Sequence, residues 1–393
     1  MRSIELFAGA GGLALGVAKA GFSHEAVLEY DSDACNALIL NQKRKVFPKT
    51  RHELTPVDVH KFDYAVIEET VDVITGGPPC QPFSIGGKHK GHRDERNLFP
   101  EAVRAVRELQ PRAFIFENVR GLVRESFAKY FEYIVLQLTY PELERKSDEA
   151  WEQHLARLER HHTGGRYRAP FYRVVYRVLQ AADYGVPQRR ERVFIIGFRS
   201  DISSDGWSFP EPTHTRDRLL YDQWQTGEYW DRHKVAKRLR PDRPPQVSWL
   251  FPPPTKPWRT VRDAISNLPD PLHQPDVIYN HVFIAGARVY AGHTGSPFDE
   301  PAKTLKAGDH GVPGGENMLA HRDGSVRYFT VRESARLQTF PDEYIFCSSW
   351  TESMRQLGNA VPVELASAVA LSVAKHLRRI DSNGRQDKIR GNI

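Results

Sequence analysis

Short β-branched and aromatic runs recur along the first half of the chain. They fall at Ser3-Ile4-Glu5-Leu6-Phe7, Ala26-Val27-Leu28-Glu29, Val71-Asp72-Val73-Ile74-Thr75, Ala113-Phe114-Ile115-Phe116, Val174 to Leu179 and Val193-Phe194-Ile195-Ile196-Gly197. Each has the length and composition of a buried strand. Helical spacing separates several of them, at Leu13 to Ala20 and Leu98 to Leu109. Strand and helix in alternation predict an α/β fold. Glu142 to His162 is charged and helix-prone, with Trp151, Leu155 and Leu158 on one side. It reads as an inserted surface helix without chemistry. Beyond Phe198 the alternation stops. Residues 199–326 are rich in Pro, Trp, Arg and His, with short scattered apolar runs. They read as a second, loop-rich small domain, with Trp207, Trp224, Trp230, Trp249 and Trp258 as core material. Regular pattern returns at Tyr328 to Asp342, where Thr330 and Glu333 fit a capping box. A last helix should run to Leu377, and the polar tail after Arg378 should fray.

Glycine and proline punctuation marks where chemistry can sit. Gly76-Gly77-Pro78-Pro79-Cys80-Gln81-Pro82-Phe83-Ser84 ends the third predicted strand abruptly. The stiff approach and the polar exit place Cys80 at the carboxyl end of a strand, where ligands bind in open α/β sheets. A cysteine held on such a turn is a candidate nucleophile. Ala8-Gly9-Ala10-Gly11-Gly12 joins the first strand to its helix, so a ligand can approach the backbone closely. A dinucleotide unit would do the same, but the spacing is not GxGxxG. Glu29, an acid closing the second strand, is placed to accept from both hydroxyls of a ribose. Residues 85–93 form a glycine-rich basic loop that can close over a phosphate backbone. Glu117 ends the strand neighbouring that of Cys80, the expected place for an acid partner. Arg190 and Arg192 stand at alternate positions before a strand and project to one face.

Composition narrows the setting. The chain has 393 residues, 40% hydrophobic and 11% aromatic, which suits a folded protein of one large or two smaller domains. No apolar run approaches a membrane span. Met1 to Phe7 already belongs to a strand, so no leader is expected. Three cysteines without a CxxC pair make neither a disulfide framework nor a zinc site, and no metal is expected. The net charge of +6 fits a polyanionic partner.

Six segments, ELFAGAGG, GGPPCQPFS, ENV, QRRERVFIIG, RESARLQTFPD and QLGNAVPV, occur between residues 3 and 363. In kind and order they resemble the motifs of the cytosine-5 DNA methyltransferases of prokaryotic modification systems. The resemblance implies a Rossmann-like S-adenosylmethionine-dependent domain with a mixed sheet, residues 1–198 and 327–393. A target-recognition domain, 199–326, would face it across a cleft. It implies S-adenosylmethionine as cofactor, held by Phe7, Gly9, Gly11, Gly12, Glu29, Tyr30, Asp58, Pro79 and Asn359. Asp58 would meet the adenine amino group. Cys80 would add to carbon 6 of a flipped-out cytosine. Glu117, with a raised pKa, would bond ring nitrogen 3. Arg190 would hold the base's carbonyl oxygen, and Arg192 would orient Glu117. Double-stranded DNA is the expected partner, contacted by Ser84, Lys88, Lys90, Arg93, Gln188, Thr304, Lys306 and Asp309, with Thr304 to His310 as the reading loop. Thr304-Leu305 is similar to a pair in the family's recognition domain. A monomer in a prokaryotic cytoplasm, protecting host DNA beside a restriction nuclease, is the implied setting. An RNA cytosine methyltransferase, an inactive S-adenosylmethionine-binding scaffold and a dinucleotide dehydrogenase are the alternatives.

Overall fold

The structure is a computed structural model that describes residues 1–79, 98–165, 170–241, 249–273, 278–290, 293–307 and 317–390. Cys80, Ser84, Lys88, Lys90, Arg93 and Asp309 lie outside the described residues. The chain forms two compact units. The first is Met1–Leu179 with Glu191–Phe209 and Ala366–Ile393, the second Gln180–Arg190 with Pro210–Leu365. Residues 327–365, assigned above to the returning catalytic segment, thus lie in the second unit.

The first unit is built on a six-stranded sheet. Its elements are β1 (Arg2–Leu6), α1 (Gly12–Lys19), β2 (Ser23–Leu28), α2 (Ser32–Lys43), β3 (Val73–Gly76), α3 (Phe99–Leu109), β4 (Ala113–Val119), α4 (Ala128–Thr139), α5 (Trp151–Gly164), β5 (Tyr172–Gln180) and β6 (Glu191–Arg199). The strand order is β2-β1-β3-β4-β6-β5. β2, β1, β3 and β4 run parallel to one another, and β6 is antiparallel to β4. The sheet is therefore mixed, as the resemblance implies. Ile74, Phe114, Ile115, Phe116, Ile195 and Ile196 are all fully buried, which explains continuous apolar runs where a half-exposed strand would alternate. Glu5 pairs with Thr75, and Thr75 with Ile115. Two polar side chains thus share one row of an otherwise apolar face.

Two expectations about this unit need correction. The insertion is helical only from Trp151, and it is not merely a surface element. Leu155 and Leu158 are buried in the core shared with α4 and the sheet. The tail after Arg378 does not fray, because α11 (Val363–Arg390) continues through it. Asp381 pairs with Arg112 at 2.5 Å, which holds the added turn to the sheet. The same helix reaches α1, where Arg378 donates to the Ala20 carbonyl at 3.2 Å. The helical stretch Trp350–Asn383 contains a window long and apolar enough to cross a membrane, so the statement that no apolar run approaches a span is also corrected. That window is 72% buried in the protein, as in a core helix.

The second unit carries short elements. They are β7 (His214–Thr215), α6 (Arg216–Leu220), α7 (Glu228–Arg232), β8 (Lys256–Pro257), α8 (Val261–Ile265), β9 (Ser296–Pro297), β10 (Met318–Ala320), β11 (Val326–Tyr328), α9 (Val331–Leu337), α10 (Trp350–Asn359) and the first residues of α11. One core joins α8 and α9 through Val261, Ile265, Leu305, Leu319, Phe329 and Leu337. Another gathers Leu219, Tyr229, Trp230 and Val235, with Trp258 packed against it. Trp207 instead belongs to the first unit, against Phe198 and Phe209. Thr330 caps α9, accepting from the Glu333 amide while Glu333 accepts from the Thr330 amide, the box read from the sequence.

Candidate active site

The turn after β1 is shaped by backbone conformation. Phe7, Gly9 and Gly11 have φ of 56°, 52° and 79°. Left-handed backbone is cheap for glycine and strained for Phe7. A Cβ on Gly11 would meet Leu38 and Phe47 at 2.7 Å, whereas nothing lies within 4 Å of one on Gly9. Gly11 is therefore required by packing, and the side of Gly9 is open to a ligand. Glu29 closes this turn. Its Oε2 accepts from the Gly9 amide at 2.6 Å, and its Oε1 accepts from the Tyr30 and Asp31 amides at 2.8 Å. Burial raises the Glu29 pKa, and the three amides oppose that rise. Tyr30 beside it is 75% exposed. The Val57 amide donates to the Glu29 carbonyl at 2.7 Å, which brings Pro56 to Asp58 alongside the end of β2. Asp58 caps a short helical turn and accepts from His60, whose hydrogen bonds hold the carboxyl below its usual range.

Glu117 sits near the end of β4, buried, with Arg192 of β6 against it. Arg192 Nε lies 2.8 Å from Glu117 Oε1. Burial lowers the Arg192 pKa, and Glu117 works against that. A Cβ on Gly77 would come within 3.2 Å of Glu117 Oε2, so the glycine leaves room for the carboxyl. Asn118 Nδ2 donates to the Pro78 carbonyl at 2.8 Å. This ties the turn that leads into Cys80 to the strand bearing Glu117. The Leu98 amide donates to the Pro79 carbonyl at 3.1 Å.

Sequence reasoning missed three members of this cluster. Asn118 and Gly77 stood in recognised motifs, but their tasks are set by contacts that spacing does not reveal. Glu5 carried a visible signal, an acid inside an apolar strand. It is fully buried and bonded by Thr75. Burial, then the charge of Glu117, push its pKa up to about 8 against the Thr75 hydrogen bond.

The second unit holds the rest of the predicted residues. Gln188 is fully buried. It donates to the Leu337 carbonyl and accepts from the Leu305 amide, at 3.3 and 3.0 Å. Arg190 is fully buried as well. Its guanidinium donates to the carbonyls of Leu305, Gly358 and Ala360 at 2.9, 2.7 and 2.9 Å. Both residues, expected at DNA and at the base, are buried on these partners in the structure. Their side chains fasten one motif to two others. Thr304 joins them, donating to the Arg189 carbonyl at 2.7 Å. Gly358 is small for a reason, since a Cβ there would lie 2.2 Å from the Ala307 nitrogen. Lys306 and Asn359 are exposed.

An open glycine turn, a carboxylate closing it and a buried acid–guanidinium pair between the antiparallel strands β4 and β6 make the candidate active site of an α/β enzyme. Comparison with known proteins narrows that class. The profile of the C-5 cytosine-specific DNA methylase family matches residues 1–140 and 167–375. The Type II methyltransferase M.Eco47II of Escherichia coli is 33% identical over 387 residues, covering 96% of this chain and 80% of its own. The Type II methyltransferase M.NgoMIV of Neisseria gonorrhoeae is 30% identical over 381 residues, covering 96% and 98%. Among solved structures, the Dnmt2 methyltransferase of S. pombe has a TM-score of 0.57 at 16% identity, covering 97% of this chain and 99% of that one. The methyltransferase EhMeth of Entamoeba histolytica has a TM-score of 0.55 at 13% identity, covering 96% and 98%. The chain belongs to the C-5 cytosine-specific DNA methylase family. The profile is interrupted across 141–166, the inserted segment that carries α5.

Proposed function

We propose that the enzyme transfers a methyl group from S-adenosylmethionine to carbon 5 of a cytosine flipped out of duplex DNA. Its biological role would be protection of host DNA beside a Type II restriction nuclease, in a prokaryotic cytoplasm. The observation that carries the reading is the Glu117–Arg192 pair, joined through Asn118 to Pro78, two residues before Cys80 in the sequence. The turn residues fit the cofactor: Gly9 is open, Glu29 can accept from a ribose, and Tyr30 offers an exposed ring. When bound, S-adenosylmethionine supplies an electrophilic methyl group.

Carbon 5 of cytosine is a weak nucleophile, and the protein's work is to enrich it in electrons. The Cys80 thiolate forms a bond to carbon 6, and the ring's 5,6 electron pair moves toward carbon 5. Glu117 hydrogen-bonds ring nitrogen 3 and stabilises the enamine as it develops. Arg192 fixes the Glu117 carboxyl. With Arg190 committed to backbone carbonyls, Arg192 is also the guanidinium left to meet the base's carbonyl oxygen. After methylation the carbon 5 proton leaves to a base, and its electron pair expels the Cys80 thiolate. Target choice is assigned to residues 199–326, with Lys306 as one candidate contact.

Duplex DNA carrying 5-fluorocytosine tests this directly, because fluorine cannot leave as a proton does. The wild type should form a denaturation-resistant protein–DNA adduct, and Cys80→Ser should form none. An adduct of equal yield with Cys80→Ser, or none with the wild type on methylatable DNA, overturns the assignment.

A further inference from the structure

The second unit presents two adjacent apolar side chains to solvent, Leu250 at 96% and Phe251 at 81% exposure. Such exposure on a freely moving loop would mean little. Here both flanks are fastened. On one side Trp249 packs edge-on against Tyr221, ring centres 6.2 Å apart. On the other, Arg218 donates to the Pro253 carbonyl at 3.3 Å, within Pro252-Pro253-Pro254, whose rings fix the backbone. Both anchors belong to one short stretch, 218–221, so Leu250 and Phe251 form the tip of a stapled arch. Fixing the chain costs conformational entropy, and the tip gains no burial in return.

The surroundings say which partner would repay that cost. The arch runs into β8, which pairs with β7 through His214 opposite Lys256. Lys256, Arg259 and Arg216 are exposed there. Burial first, and then the charges of Lys256 and Arg259, hold His214 below its usual pKa. An apolar tip in a basic setting suits a ligand with an anionic exterior and an apolar, stackable interior, which is the make-up of duplex DNA.

We propose that Leu250 and Phe251 form a wedge that enters between stacked base pairs of duplex DNA, with Lys256, Arg216 and Arg259 on the flanking phosphates. This deepens the functional reading above and rests on it for the choice of DNA as partner. No covalent step is involved. The wedge would lower the cost of opening the duplex.

The test uses the full-length enzyme and a mixed-sequence duplex carrying 2-aminopurine, whose fluorescence rises on unstacking. The double variant Leu250→Ala/Phe251→Ala should bind this duplex more weakly by on the order of tenfold, the worth of one base–aromatic stack. The dependence of log K on log salt should keep its slope, because no phosphate contact is lost. The fluorescence rise should be lost too, and Phe251→Trp should restore it. Lys256→Ala should do the opposite, flattening the slope by about one charge while leaving the fluorescence rise. Wild-type affinity and fluorescence in the double variant overturn the proposal. So does a partner protein whose binding the double variant abolishes while duplex binding stays intact. The parent reading is scored separately, by methylation of plasmid DNA. A wild type that unstacks the duplex but never methylates keeps the wedge and sinks the activity.

Discussion

Glu117 shows how one residue's task depends on its neighbours. It is buried beside Arg192, with space left for its carboxyl by Gly77. Glu117→Gln keeps a hydrogen bond to the ring but cannot supply or hold a proton well. Single-turnover methylation should fall by roughly 10²–10⁴ while duplex affinity is retained. Rapid-quench measurement at saturating DNA checks this, and a near-normal rate would remove Glu117 from the chemistry. Glu5 makes a different prediction. Its carboxyl is raised to about 8 by burial, so the folded state binds this proton more tightly than the unfolded chain does. Its contribution to stability is fully present below the ordinary carboxyl pKa of 4.5. It is lost progressively as pH rises from there to about 8. Glu5→Gln, which keeps a partner for Thr75, should flatten that decline in urea midpoints measured across the window. Parallel curves for variant and wild type would show that Glu5 does not titrate there.

At the scale of elements, the motifs turn out to be fasteners as well as chemistry. Arg190 joins the segment before β6 to Leu305 and to the end of α10. Arg190→Ala leaves three carbonyls without this donor and should destabilise the protein by about 3 kcal/mol or more. Chemical denaturation measures this. Wild-type stability with lost activity would return Arg190 to the substrate. The six strands and the capping box of α9 were legible in the sequence because each rests on local periodicity or a fixed four-residue pattern. The burial of Arg190 and Gln188 was not legible. Both stand where charge and spacing point outward, and only the return of Leu305 and Gly358 encloses them. The extension of α11 was missed for a similar reason: polar composition suggests fraying, but Asp381 has Arg112 to meet.

At the scale of the molecule, motif order was readable because it is a linear property, whereas the division into units is not. The ENV and Cys80-turn residues fold in the first unit, and the Gln188–Arg190 and Asn359 motifs in the second. Neither unit of the chain holds the whole set of motifs. Bisulfite sequencing of plasmid DNA from cells expressing that chain reads activity and target together. The account predicts unconverted cytosines confined to one short recurring sequence with the wild type, and complete conversion with Cys80→Ser. Complete conversion in both, or equal protection in both, would contradict it.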